Sequence, residues 1–256
     1  MPTPPASSVV PSSLSSPLPR PRRHPLKPGS HKETDVIQYL DHGLNLVQQR
    51  VDNRLRKRRD GDAGVEGYRH FAEAEKDLSS FIDIVWVSGS PNLQIPYLLT
   101  IARLIAEFLP LFPASPHATF RVLEKLDIAF SSLIQGKDAD TGEPLPGFEE
   151  GRTVSTTDKV RLKGIVDRTR LVVAKALGDG VVDEEGDAMV TEEDAMSEAD
   201  RDEDTVKFEG FENNDDDDDD QNEMWEETQI SRVYERTIGE LGDVLGGVPI
   251  GLITDE

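Results

Sequence analysis

Between residues 35 and 178, apolar side chains recur at steps of three and four residues in five successive stretches. Glycine, proline or short polar segments separate each stretch from the next. This spacing places the apolar side chains of each stretch on one face of an α-helix, whereas β-strands would show a two-residue alternation. The sequence therefore predicts an all-α fold, in which a single bundle of about five to six helices occupies residues 34–178.

Caps and breakers set the expected ends of these helices. Ser115 is followed by Pro116, a typical cap and first helical residue, and glycines follow the fourth and fifth stretches. Ser155 and Asp158 resemble a capping arrangement at the start of the fifth. The predicted helices span approximately residues 35–58, 66–87, 93–112, 116–135 and 155–177.

The third stretch is apolar at nearly every position, and its one polar line consists of Thr100, Arg103 and Glu107. Each charge near the middle of a membrane span costs roughly 2.5–3.5 kcal/mol on insertion scales, and Pro96 and Pro110 lie near either end. We therefore interpret this stretch as the central helix of the bundle, with Arg103 and Glu107 paired one turn apart, and expect no contact with a membrane.

Residues 1–33 are rich in proline and serine and contain five Arg and Lys residues but no acid before position 33. Such a composition buries too little apolar surface to offset the entropy of ordering, so it predicts a disordered basic arm. A nuclear-import patch and a merely solvated tail explain the arm equally well. A mitochondrial presequence is disfavoured because its prolines would interrupt an amphipathic helix.

The whole net charge of −22 comes from residues 179–227, which hold 24 Asp and Glu against only Arg201 and Lys207, and the rest of the chain is neutral. Self-repulsion within this acidic tract, which includes six consecutive aspartates at residues 215–220, predicts disorder. Residues 228–256 then show an amphipathic helical pattern and an apolar tail. We expect this C-terminal helix to dock on the bundle, which makes the acidic tract a long insert.

Motifs for catalysis or cofactor binding are missing from the sequence. The chain contains no cysteine, no glycine-rich phosphate loop and no pair of histidines at metal-ligand spacing. Carboxylates are dense only in the acidic tract, where disorder would prevent the positioning that acid–base catalysis requires. The sequence therefore predicts a protein that is not an enzyme and has no catalytic residues, no cofactor and no metal site.

Two kinds of binding surface remain as candidates. One is a basic face formed by the end of the first helix and one side of the fifth. Its residues are Arg50, Arg54, Lys57, Arg58, Lys159, Lys163 and Arg170. The other is a set of aromatic residues among the acids, Phe208, Phe211 and Trp225, which could anchor the tract on a partner. The alternative for the basic face is a set of solvated charges without a binding role. The alternative for the acidic tract is a linker that only improves solubility.

These features favour a non-catalytic helical adaptor or complex subunit in the nucleus, with the cytoplasm as the alternative location. Its bundle would bind protein partners, and its acidic tract would bind basic ones such as histone-like or ribosomal proteins. The alternative is a nucleic-acid-associated factor in chromatin, DNA repair or ribosome assembly. In that case the basic faces of helices one and five would bind and the tract would act as an autoinhibitor. The sequence leaves open the identity of the complex, the oligomeric state, and whether the C-terminal helix packs in cis or in trans.

Overall fold

The computed structural model describes residues 17–54, 56, 64–148, 152–178, 182–188, 190 and 215–245, with only the backbone at 215–223 and 243–245. The described residues form seven principal α-helices and no β-strand, which confirms the predicted all-α class. The helices are α1 (His31–Asp52), α2 (Phe71–Val87), α3 (Pro91–Phe108), α4 (Pro116–Gln135), α5 (Thr156–Gly178), α6 (Asp215–Arg232) and α7 (Glu235–Leu245). A 3-10 turn at Leu109–Leu111 follows α3.

The core lies between α2, α3 and α4. The helix α3 packs against α2 and α5, whereas α4 packs against α2 and α7. Trp86, whose position the apolar periodicity left undecided, is completely buried, as are Leu98 of α3 and Leu126 of α4. The helices therefore enclose one continuous apolar cluster that extends from α1 to α7.

Within the described part of the chain, the segment Pro91–Leu111 is long and apolar enough to cross a membrane by length and composition. More than half of that segment is buried inside the bundle. Arg103 donates to Glu107 at 2.8 Å on its outer side, as the sequence predicted. The core position explains why this helix is so apolar.

Local capping contacts determine where three helices begin or end. The backbone N–H of Glu33 donates to Ser30 Oγ at 3.3 Å, and Gly29 N–H donates back to the Glu33 carboxylate at 2.6 Å. This capping box starts α1 four residues earlier than the apolar pattern predicted. Gly136 ends α4 in the left-handed conformation, and Asp158 N–H donates to Ser155 Oγ at 3.1 Å at the start of α5.

The basic arm is ordered over part of its length, so the prediction of disorder through residue 33 is wrong from residue 17 onward. Leu18 and Leu26 are buried, and the N–H groups of Arg22 and Leu26 donate to backbone carbonyls at the end of α2. The burial of these two side chains and the backbone hydrogen bonds offset the entropy cost of ordering the segment. The composition alone did not reveal these contacts. Residues 1–16 lie outside the described residues.

Two parts of the acidic tract that the structure describes lie at its ends, residues 182–188 and the beginning of α6. Residues 182–188 pack against the bundle, and residues 215–227 belong to α6. The backbone of the aspartate run, residues 215–220, forms the first turns of α6. Residues 191–214, which include Phe208 and Phe211, lie outside the described residues.

The C-terminal helix α7 packs on α4 of the same chain. The Asp127 carboxylate of α4 accepts hydrogen bonds from the backbone N–H groups of Arg236 at 3.1 Å and Thr237 at 2.8 Å. These N–H groups lie in the first turn of α7, so Asp127 caps α7 across the interface. Val233, Tyr234 and Leu241 are buried beside this contact. The apolar tail at residues 248–253 lies outside the described residues.

The docking of α7 predicts an unusual pH dependence. Burial raises the pKa of Asp127 above its ordinary value, although hydrogen bonds from Thr237 and Arg236 partly oppose this effect. A folded-state pKa above the unfolded value means that the folded chain binds this proton more tightly. The stabilising contribution of Asp127 is thus complete below the unfolded pKa and is lost as the pH rises through the folded one.

The wild-type protein should therefore gain stability relative to Asp127→Asn as the pH is lowered through this interval. Urea unfolding of the two proteins at a series of pH values measures the difference, and the other carboxyl groups cancel in the comparison. A difference that falls on acidification would contradict the assignment.

Candidate functional site

The described ends of the acidic tract converge on the N-terminus of α4. We call this contact the tract anchor and define it by His70, His117, Asp183, Asp187 and Trp225. Its residues come from α2's N-cap position, from the start of α4, from residues 182–188 and from α6. Residues far apart in sequence are therefore brought together around one helix terminus.

Asp187 caps α4 from about seventy residues away in the sequence. Its Oδ1 accepts from the backbone N–H of His117 at 2.9 Å and from Ser115 Oγ at 3.0 Å, while its Oδ2 lies 2.7 Å from His117 Nδ1. Ser115 occupies the N-cap position but makes no side-chain cap hydrogen bond to the helix. The carboxylate satisfies that role instead, and its charge is favourable at the helix N-terminus.

Asp183 makes the second contact of the same segment. Both of its carboxylate oxygens lie within 3.0 Å of His70 Nδ1, and its backbone N–H donates to the carbonyl of Ala114 at 2.6 Å. The side chains are only 16% and 9% exposed, so this pair is largely shielded from water. Residues 182–188 are thereby fixed to both α2 and α4.

Trp225 of α6 attaches the C-terminal end of the acidic tract to the N-terminus of α4. Its ring stacks on His117 with centroids 4.5 Å apart and an interplanar angle of 19°, and it meets Phe120 edge to face at 5.4 Å. The sequence marked Trp225 as a docking aromatic for a partner, but here it contacts the chain's own bundle. The described segments on either side of residues 191–214 are therefore attached at the same end of α4.

The described arginines of the predicted basic face on α1 make contacts within the bundle. Arg50 donates to Asp77 at 2.8 Å and lies over the ring of Tyr68, whose hydroxyl donates to the same carboxylate at 2.6 Å. Burial, aided by Asp77, raises the pKa of Tyr68, so the phenol stays protonated as a donor. Arg54 lies over the ring of Phe112. Both arginines thus stabilise the end of α1.

The members of the predicted face on α5 do not point in one direction. Lys159 lies on the inward stripe of this helix and is only 7% exposed, whereas Lys163 is exposed and donates to Asp167 at 2.7 Å. Arg170 is half-buried. Lys57 and Arg58 lie outside the described residues.

A different cationic surface lies between α3 and α5. An open groove of about 730 Å³ runs between these helices, and four of its lining residues are arginines. They are Arg103, Arg152, Arg161 and Arg168. The sequence showed Arg161 and Arg168 seven residues apart and Arg103 in a polar line, but no local pattern linked them to Arg152, which precedes α5. We call this surface the arginine groove.

Among the residues that the structure describes, no group of three or more His, Asp and Glu side chains is arranged to hold a metal ion. The anchor carboxylates are engaged with histidines and backbone N–H groups. These contacts attach residues 182–188 to the bundle.

Comparison with known proteins places most of this architecture in one family. A family model described as TFB6, subunit 11 of the general transcription factor TFIIH, matches residues 67–242, which is more than half of the chain. An uncharacterized protein of Schizosaccharomyces pombe (strain 972) is 30% identical over 154 residues, covering 58% of this chain and 82% of its own length. No solved structure matches the chain. The family match begins after α1 and includes the tract anchor and the arginine groove.

Proposed function

Because the chain belongs to the TFB6 family, described as subunit 11 of the general transcription factor TFIIH, we propose that it is an adaptor that holds protein partners in a TFIIH-type assembly. Family membership itself makes the chain a non-catalytic complex subunit of the nucleus. The predictions of a non-catalytic complex subunit and of a nuclear location are confirmed by this family membership. The proposal adds how the subunit works: the bundle binds one protein, and the anchored acidic tract binds a basic one.

The closed attachment of the tract is the observation that supports this proposal. An acidic segment that only improved solubility would need no contact with the bundle, yet both described ends are fixed at α4 by Asp187 and Trp225. A segment attached at both of its ends stays near its points of attachment, which raises its effective concentration for a partner bound beside them. Clustered carboxylates also speed the encounter with a basic surface.

The test is affinity purification from a nuclear extract. Intact protein is compared with a variant in which every Asp and Glu between residues 191 and 214 is replaced by Asn or Gln, which leaves the tract anchor unchanged. We expect transcription-factor subunits to copurify with both proteins at 0.1 and roughly 0.5 M salt, because a hydrophobic interface resists screening. Basic proteins should copurify only with the intact chain, and only at the lower salt.

A matched variant, Phe208→Ser with Phe211→Ser, keeps the charge and removes the aromatic side chains. Loss of the basic partners from this variant would assign recognition to the aromatics as well as to charge. Equal recovery of basic proteins by intact and neutralised chains would refute the role of the tract. Nucleic acid bound only by the neutralised chain would instead support the autoinhibited, nucleic-acid-binding alternative.

A further inference from the structure

We propose that the arginine groove between α3 and α5 is a docking site for an acidic, amphipathic helix of a partner protein. The occupant's carboxylates would pair with the four arginines, and its apolar side chains would lie on the floor of the groove. This surface is separate from the tract anchor. The inference therefore goes beyond the proposed role of the acidic tract.

The charge of the groove favours an anionic occupant. Its lining contains four arginines and a single carboxylate, Asp158, which is 25% exposed and accepts from Ser155 Oγ at the start of α5. Arg161 lies 3.4 Å from Asp158, but 68% of its side chain is exposed. Arg103 forms an ion pair with Glu107, and 50% of the Arg103 side chain is exposed. The guanidinium groups are thus available for bidentate pairing with further carboxylates.

Two arginines at opposite ends of the groove have weaker internal contacts. Arg152 donates to the side chain of Asn92, a neutral partner, near the start of α3. Arg168 is exposed and makes no hydrogen bond or ion pair with any residue that the structure describes. Nothing inside the described chain therefore neutralises the positive charge at either end.

The floor of the groove distinguishes a protein ligand from a nucleic acid. Ile95 and Leu99 of α3 and Ile165 of α5 line it and remain partly exposed. No aromatic ring lines the groove, so bases would find no stacking platform. Phosphates could reach the arginines but would leave the apolar floor uncovered. An amphipathic peptide satisfies both parts of the surface.

The length of the groove suits a helix of the partner. Its lining extends along α3 from Asn92 to Ala106, which at 1.5 Å per residue corresponds to about 20 Å. That distance accommodates roughly four helical turns. An occupant with apolar residues at steps of three and four would place one of them over the floor in each turn.

Gly164 supplies a second observation at the edge of the groove. It lies in the middle of α5, where glycine costs about 1 kcal/mol relative to alanine. A Cβ at this position would meet no atom within 4 Å, so packing within the described chain does not require glycine. Glycine at this position would instead allow the backbone of another helix to approach α5 closely.

The experiment measures binding of a fluorescein-labelled, sixteen-residue peptide to the full chain by anisotropy. The probe carries leucines at helical steps of three and four and glutamates at its other positions. We expect Arg103→Gln combined with Arg168→Gln to weaken binding at least tenfold. Gly164→Leu should weaken it similarly while maintaining or raising the melting temperature, because leucine is the better helix former.

The matched control removes two cations from α5 outside the groove. Lys163→Gln combined with Arg170→Gln should change the affinity less than twofold. Equal losses in this control and in the groove variants would overturn the proposal, because attraction would then depend on net charge alone. Equal binding of a probe whose leucines are replaced by serine would overturn it as well.

Two further outcomes would identify a different occupant. Tighter binding of a duplex DNA of similar length, lost in the same groove variants, would assign the groove to nucleic acid and overturn the proposal. Peptide binding that appears only after the acids at residues 191–214 are neutralised would show that the chain's own tract fills the groove. That result would also overturn docking of a partner helix in the intact protein.

Discussion

Replacing Tyr234 by alanine is expected to lower the free energy of unfolding by about 3–5 kcal/mol, the range for removing a buried aromatic side chain. Tyr234 lies between α6 and α7 and is only 1% exposed. Its ring packs against Phe130 of α4 with centroids 6.2 Å apart. Truncation would leave a cavity at the junction that holds the C-terminal helix.

The backbone at Tyr234 shows why its packing matters. Its φ of 58° is in the left-handed region, which costs a non-glycine residue about 1–2 kcal/mol. The buried ring compensates for that strain. In Tyr234→Ala the strain would remain without the compensation, so α7 should separate from α4 before the rest of the bundle unfolds. Hydrogen exchange of the α7 amides measures this local opening, and full protection of those amides in the variant would contradict it.

Tyr234→Phe is the matched control because it keeps the ring. The Tyr234 hydroxyl is buried and has no hydrogen-bond partner among the residues described. Burial, together with the nearby charge of Asp127, raises the pKa of Tyr234, so the group is neutral. Removing an unsatisfied hydroxyl should leave stability unchanged or raise it by about 1 kcal/mol. A loss comparable to that of Tyr234→Ala would indicate that the hydroxyl, not the ring, holds the junction.

Local signals in the sequence were sufficient to predict much of the bundle. Gly136 ends α4 and Ser155 caps α5 because capping acts within one helical turn. Arg103 and Glu107 could be paired because residues four apart in a helix are neighbours. Such features depend on nearby residues, so the periodicity and caps carry the necessary information.

Contacts between distant segments were missed for a physical reason. Composition made residues 182–188 look like part of a disordered acidic tract, but Asp187 meets an uncapped helix end that only the folded bundle creates. Lys159 was counted on a basic face, although the inward stripe of α5 includes it. The arginine groove also depends on the packing of α5 beside α3, which periodicity within one helix does not specify.

Replacing Asp187 by alanine is expected to lower the free energy of unfolding by about 2 kcal/mol, because a hydrogen bond to a charged acceptor contributes about 1.5–3 kcal/mol. The substitution removes the cap of α4 and the contact with His117, leaving the His117 N–H without its carboxylate acceptor. Urea denaturation monitored by circular dichroism measures the loss. Asp187→Asn keeps one acceptor oxygen, so its loss should be smaller.

The same variant should release the returning end of the tract. Trp86 is completely buried and Trp225 only partly, so acrylamide quenching of the native fluorescence reports mainly on Trp225. Because Asp187 holds His117 against the Trp225 ring, Asp187→Ala should increase that quenching, whereas Asp183→Ala, which disrupts the His70 contact, should increase it less. Unchanged quenching and stability in Asp187→Ala would mean that the acidic tract is not fastened at α4, and the adaptor mechanism would lose its structural basis.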